Sequence, residues 1–383
     1  MATVDPIELT RALVRCPSVT PAEGGALALL EERLAALGFA CERVRFEAPG
    51  TDPVDNLWAR LGEGRPHLAF AGHTDVVPPG DPARWTDDPF AGVLRDGRIW
   101  GRGTTDMKSG IACFVAAVAG HLERHGPPRG AVSLLITGDE EGPAVNGTAR
   151  LLEWAAARGE RWDAAIVGEP TCPAELGDMM KIGRRGSMTG RLVAFGRQGH
   201  TAYPYRAENA AHLVVAMLQA LLAEPLDGGS ELFEPSNLQV TSIDIGNPAS
   251  NVVPERAVAT FNIRYNDRHD AASLERWLRE RLDQAGGRYE LEVGSSGDAF
   301  FTRPGPLSDM LGQAIEEVTG RRPELSTSGG TSDARFIKHY CPVVEFGLVG
   351  QSMHQVDESV ALADIEGLTA VYQAFLGRFF AAA

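Results

Sequence analysis

Apolar runs of strand length alternate with helix-length periods through the first half of this chain. CERVRF, NLWARL, HLAFAGHTDVV, AVSLLITGDE and DAAIVGEP carry the runs, and helical periods fall at 6–15, 22–37, 110–125 and 148–158. Dense apolar runs of this length suit strands buried on both faces, and their alternation with helices predicts an α/β sheet covered by helices. Asp5 reads as an N-cap with Pro6 at the first helical position, and Gly38 as the end of the second helix. The character changes near Lys181. A strand in MTGRLVAFGRQGHTAYP leads to a helix at 209–222, the alternating segments LQVTSIDIG and AVATFNIRY, a helix at 272–284 and a strand near YELEVG. That β-α-β-β-α-β order resembles a ferredoxin-like layer. After residue 304 come a helix, SGGTSDARF, the strand VVEFGLV and a last helix at 365–381. The expected organisation is a catalytic α/β domain at 1–181 and 298–383, interrupted by an inserted α+β domain at 182–297.

A length of 383 residues with 44% hydrophobic and 23% charged residues supports a sizeable core and about two domains. The net charge of −15 disfavours binding to phosphate backbones. Five scattered cysteines with no C-x-x-C pair argue for reduced thiols and against a cysteine-built zinc site. Asp5 and Glu8 stand where a signal peptide would be basic, and no apolar run approaches the ~20 residues needed to cross a bilayer. The expectation is a cytoplasmic protein that binds neither membrane nor nucleic acid.

The chemistry-bearing residues collect just after the apolar runs. His73 and Asp75 end LAFAGHTDVV, and strand alternation would put them on one face. Asp106 lies in the glycine-flanked GRGTTDMKSG, Glu140 and Glu141 follow AVSLLITGD, Glu169 follows DAAIVG, and His354 follows VVEFGLVG. The carboxyl ends of strands are where ligand sites gather in open α/β sheets. A lone acidic residue there is more often a helix cap or a solvated turn. The ordered set of imidazoles and carboxylates, however, matches what a borderline divalent ion accepts. Two histidines and three carboxylates would serve two ions if one carboxylate bridged them. No G-x-S-x-G elbow or recognisable cysteine context supports a serine or cysteine nucleophile.

GHTDVVPPG, GRGTTDMKSG, TGDEEG, VGEPT, RQGHTAYP and MHQVDE together resemble the dinuclear zinc aminoacylase and exopeptidase family, in order and over nearly the whole chain. The resemblance implies a zinc-exopeptidase-like mixed sheet, with the insertion serving as a dimerisation or lid domain. It implies two zinc ions per subunit, with cobalt an alternative at one site. His73 and Glu169 would hold one ion, Glu141 and His354 the other, and Asp106 would bridge them. Asp75 would orient His73, and Glu140 would be the general base, pointing away from Glu141 in extended geometry. The resemblance also implies a homodimer in which His200 reaches the partner's site and donates to the oxyanion. Within the family, KIGRRGS, NVVPERAVATFNIRY and SGGTSDARF point to a small dicarboxylic amide as substrate. Arg184, Arg185 and Arg264 would then meet carboxylates, with Asn251, Gly330 and Thr331 supplying polar contacts. Which arginine meets which carboxylate stays open. The alternatives are a related deacylase sharing the metal residues and a binding-only descendant.

Overall fold

The computed structural model describes residues 3–381, which form two compact units. The first comprises the chain up to residue 182, residues 302–326 and the chain from 332 onward, and the second comprises residues 183–301 and 327–331. The sequence pattern puts the insertion at 182–297 and leaves 327–331 with the catalytic part. The observed boundaries fall a few residues later, and that short segment clusters with the second unit.

The first unit is built on an eight-stranded sheet ordered Ala40–Phe46, Val54–Gly62, Ala131–Thr137, His67–His73, Ala164–Val167, Val343–Glu345, Met179–Lys181 and Glu324–Ser326. The four central strands, from Ala131–Thr137 to Val343–Glu345, run parallel. All four are fully buried, as the dense apolar runs require. The sheet is mixed, since antiparallel pairs lie toward its edges. Register sets where the strand ends fall. His73 pairs with Thr137, Ala71 with Val167, and Val167 with Glu345, so four strands end nearly level along one edge.

Helix Ser109–His125 packs beneath this edge and is buried almost all round, the signature of a core helix. Phe70 stacks on Phe114 at 4.1 Å between centroids, and Tyr372 of helix Leu362–Ala381 meets both edge-on at 5.9 and 5.5 Å. The Tyr372 hydroxyl donates to the Phe346 carbonyl at 2.6 Å, so its buried polar atom is satisfied. Gly110 permits the close docking of this helix, because a Cβ there would stand 2.5 Å from the Gly168 carbonyl oxygen.

The second unit is a four-stranded antiparallel sheet, ordered Asn237–Asp244, Arg256–Tyr265, Gly186–Phe195 and Arg288–Gly297. Helices Ala210–Leu222 and Ala271–Ala285 share its core. This is the β-α-β-β-α-β layer expected from the sequence.

Several limits differ from the sequence reading. The second helix begins at Ala26 rather than residue 22, because Gly24 and Gly25 take φ of 57° and 92°, which a right-handed helix does not accommodate. The last helix starts at Leu362, directly after strand Ser359–Ala361. That strand joins Val93–Arg95 and Arg98–Trp100 in a small sheet too short to announce itself by periodicity. Truncation of Phe114 to Ala should destabilise the first unit by about 3–5 kcal/mol. The check is the denaturant midpoint of that unit's unfolding transition.

Candidate metal centre

His73 closes its strand, and its imidazole is almost completely buried. Its Nδ1 lies 2.9 Å from the Asp75 carbonyl oxygen. A proton on Nδ1 is donated there, which directs Nε2 into the site, where loss of its own proton would free a lone pair for a metal ion. Nε2 stands 3.1 Å from Asp106 Oδ1 and 3.7 Å from Glu169 Oε1. On the other side, His354 Nε2 lies 3.3 Å from Asp106 Oδ2 and 2.8 Å from Glu141 Oε1. Asp106 therefore turns one carboxylate oxygen toward each of two histidines that come from opposite ends of the chain.

Asp106 reaches this position from a kink. Gly103 (φ 84°) opens the segment Thr104–Lys108, and Asp106 has φ −123° and ψ 100° just ahead of helix Ser109–His125; the Asp106–Met107 peptide is cis. His354 is one of four non-glycine residues with positive φ among those described, at 62°. Side chains other than glycine seldom adopt that conformation, and where it is kept the surroundings enforce it.

Two expectations about local geometry need correction. The strand ends at His73, so alternation is not what relates His73 to Asp75. The backbone turns, and the buried Asp75 carboxylate instead accepts from the N–H groups of Glu140 at 3.3 Å and Glu141 at 3.0 Å. Its Oδ1 is 3.6 Å from His73 Nδ1. Glu140 and Glu141 lie beyond strand Ala131–Thr137 in a bend, not in extended chain. Asp75 fixes that bend from one side. Asp139 fixes it from the other, accepting from Ala144, Val145 and Asn146 N–H at 2.9–3.1 Å.

The donor set fits divalent ions. Donor atoms of His73, Asp106 and Glu141 lie within 4.8 Å of one another, and so do those of His73, Glu140 and Glu169. Four carboxylates face two imidazoles in a largely buried space, an excess of negative charge that a pair of cations relieves. The protonation preferences display this excess. Burial, with Asp106 adding to it, raises Glu169 well above the usual carboxylate range. Burial also pushes Glu140 up to about 8, with Asp333 and Asp106 adding to the effect and His73 opposing it. Burial would lower His73, yet the Asp106 hydrogen bond and the surrounding carboxylates raise it well above its ordinary value. Hydrogen bonds to Asp106 and Glu141 push His354 up to about 10. Asp106 would rise on burial, but the two histidines hold it well below the usual range.

The residues expected to read substrate belong to the second unit. Arg184 Nη1 donates to the Gly330 carbonyl at 3.3 Å, with Thr331 next in the chain. Burial and the nearby charge of Arg185 lower the affinity of half-buried Arg264 for its proton, and Arg185 lies 3.5 Å from Glu234. His200 pairs with Val252 in a short antiparallel ladder, and just beyond it the Thr201 N–H donates to the Asn251 carbonyl at 3.0 Å. The exposed His200 ring accepts the Ala202 N–H at Nδ1, 3.0 Å away, so the neutral ring carries its proton on Nε2.

Sequence reasoning misses Asp139 and Asp333. Buried Asp333 accepts from Thr148 Oγ1 at 2.6 Å and contributes to the raised pKa of Glu140. Both lie inside motifs already singled out, TGDEEG and SGGTSDARF, but neither has a spacing that distinguishes it.

Residues 69–378 match the family described as Peptidase family M20/M25/M40, and the chain belongs to that family. Solved structures with the same fold include an M20 family metallo-carboxypeptidase from Sulfolobus solfataricus, at a TM-score of 0.81 and 17% identity, covering 99% of this chain and 100% of that one. Another is a dinuclear metal-binding peptidase of the M20 family from Bacillus subtilis, at 0.68 and 14%, covering 99% and 98%. The chain is 61% identical to a succinyl-diaminopimelate desuccinylase of Rhodospirillum centenum over 99% of its length and 98% of the relative's. It is 56% identical to the desuccinylase of Rhodopseudomonas palustris, over 98% of each.

The proton affinities fix the sign of a linkage. The raised proton affinities mean that a metal ion competes with a proton at each site histidine of the metal-free chain. Binding of divalent ions should release one proton from each imidazole, and apparent affinity should rise with pH until His354 titrates near 10. Calorimetry in buffers of different ionisation enthalpy measures this release. Binding without proton release would contradict the assignment of both histidines.

Proposed function

We propose that this chain is a homodimeric, cytoplasmic dizinc amidohydrolase. It cleaves N-succinyl-LL-2,6-diaminopimelate to succinate and LL-2,6-diaminopimelate, a step toward lysine and diaminopimelate. The observation that carries the metal chemistry is the Asp106 carboxylate, with one oxygen 3.1 Å from His73 and the other 3.3 Å from His354. The substrate reading rests on desuccinylase relatives at 56–61% identity over nearly the whole chain. Those relatives favour it over acetylornithine deacetylase, which would share the metal residues. No described helix is long and apolar enough to cross a membrane, and the five cysteines are free thiols.

His73, Glu169 and Asp106 would hold one ion, and Glu141, His354 and Asp106 the other. The zinc pair, when bound, would polarise the amide carbonyl and acidify a water. Glu140 is the general base. Its burial raises its hold on a proton, which suits a group that takes one as water adds to the carbonyl carbon and gives it to the amide nitrogen as the C–N bond breaks. Asp75 holds the backbone of Glu140 and Glu141 and flanks His73. His200 of the partner subunit would present its Nε2–H to the developing oxyanion. Arg184, Arg185 and Arg264 would receive the substrate carboxylates by charge-assisted, fork-shaped hydrogen bonds, with Asn251, Gly330 and Thr331 adding polar contacts.

Chelator-stripped protein should regain hydrolysis of the succinyl substrate on adding zinc, and should leave N-acetylornithine intact. Cleavage of only the acetyl compound would overturn the substrate assignment. Glu140→Gln should lower kcat by about 10²–10⁴-fold with zinc content unchanged. His200→Ala should lower it by about 10²–10³-fold.

A further inference from the structure

Glu358 lies four residues beyond His354 and is completely buried. Its carboxylate takes four donors. Oε1 accepts from the N–H groups of Thr105 at 2.8 Å and Asp106 at 3.2 Å. Oε2 accepts from Gly103 N–H at 3.1 Å and Arg102 Nη1 at 2.6 Å. That count fills the acceptor capacity of a carboxylate. Three of the four donors are backbone groups of the kinked segment that ends in Asp106. The fourth, Arg102, also donates to the Gln355 carbonyl at 3.3 Å, inside the loop that carries His354.

The two segments are joined at further points. The Gly101 N–H donates to the Glu358 carbonyl at 2.9 Å. Thr105 Oγ1 lies 3.0 Å from Ser352 Oγ and 3.2 Å from the Ser359 carbonyl. Asp357, at φ 58°, accepts from both Thr86 N–H and Thr86 Oγ1 at 2.8 Å. The loop that bears the exposed, positive-φ His354 is therefore anchored mainly at its C-terminal end.

We infer that Glu358 is the positioning residue of the metal centre: its carboxylate locks the Asp106 segment to the His354 loop, and so sets the separation at which Asp106 faces His73 and His354. The inference rests on the reading that Asp106 and His354 hold ions. An ion pair as buried as Arg102–Glu358 has a large desolvation cost and is weak evidence of stability by itself. Its return here is geometric. Three bonds to backbone N–H groups fix the path of the chain into Asp106, and a ligand held in place before metal arrives binds it more tightly.

The test uses three full-length variants. Glu358→Gln keeps the shape but replaces one accepting oxygen with an amide NH2 that cannot accept. Arg102→Met/Glu358→Leu removes the carboxylate without leaving a lone buried charge. Glu160→Gln is the control, because Glu160 pairs with Arg60 at 2.6 Å beside His67, at the opposite end of the His73 strand. Zinc affinity is read by chelator competition, and unfolding temperature is read with and without zinc. Both Glu358 variants should lose about 10–100-fold in zinc affinity and show a smaller zinc-induced rise in Tm. Their kcat should fall, with KM changed by less than about two-fold. Glu160→Gln should lower Tm equally with and without zinc and keep wild-type affinity. Wild-type zinc affinity in the double variant, or an equal loss in Glu160→Gln, would overturn the positioning role. A wild-type chain that binds no divalent ion would remove the metal centre itself, and this inference with it.

Discussion

One carboxylate shared by two histidines governs this structure. Asp106 faces His73 with one oxygen and His354 with the other, while Glu140, Glu141 and Glu169 crowd the same buried space. Without cations such a site is an electrostatic burden, which appears as carboxylic acids that hold their protons too tightly and imidazoles that do the same. A site that relieves this burden by binding ions is coupled to pH and to metal supply through the same groups.

The fold delivers these residues through register. Four parallel strands end nearly level, so His73, the bend after Thr137 and Glu169 arrive along one edge without long loops. The tight docking of Gly110 against Gly168 brings the kink of Asp106 to that edge. His354 has no strand of its own at the site. It depends on a loop with two positive-φ residues, tied down through Asp357, Glu358 and Arg102. The last of these site residues in the chain is therefore the one most dependent on polar anchoring.

Much of this is legible in the sequence because two periodicities carry it. Dense runs such as LAFAGH and AVSLLIT suit buried strands by their length and their alternation with helical periods, and the acidic or imidazole residue after each marks its carboxyl end. The β-α-β-β-α-β order of the second unit is legible for the same reason. Features that periodicity does not encode escape it. The relation of Asp75 to Glu140 and Glu141 is a carboxylate bonded to backbone N–H groups around a bend, not strand alternation. Asp139 and Glu358 also act on backbone amides, and nothing in their spacing separates such a carboxylate from a solvated one. The late start of the second helix follows from Gly24 and Gly25 at positive φ, which composition permits but does not demand.

The central claim is that Asp106 lies between two ions. Anomalous diffraction at the zinc edge from crystals of the zinc-loaded protein tests it most directly. The account predicts two peaks about 3.5–4 Å apart, one beside His73 and Glu169 and the other beside Glu141 and His354, with Asp106 touching both. A single peak, or two peaks of which only one contacts Asp106, would contradict it.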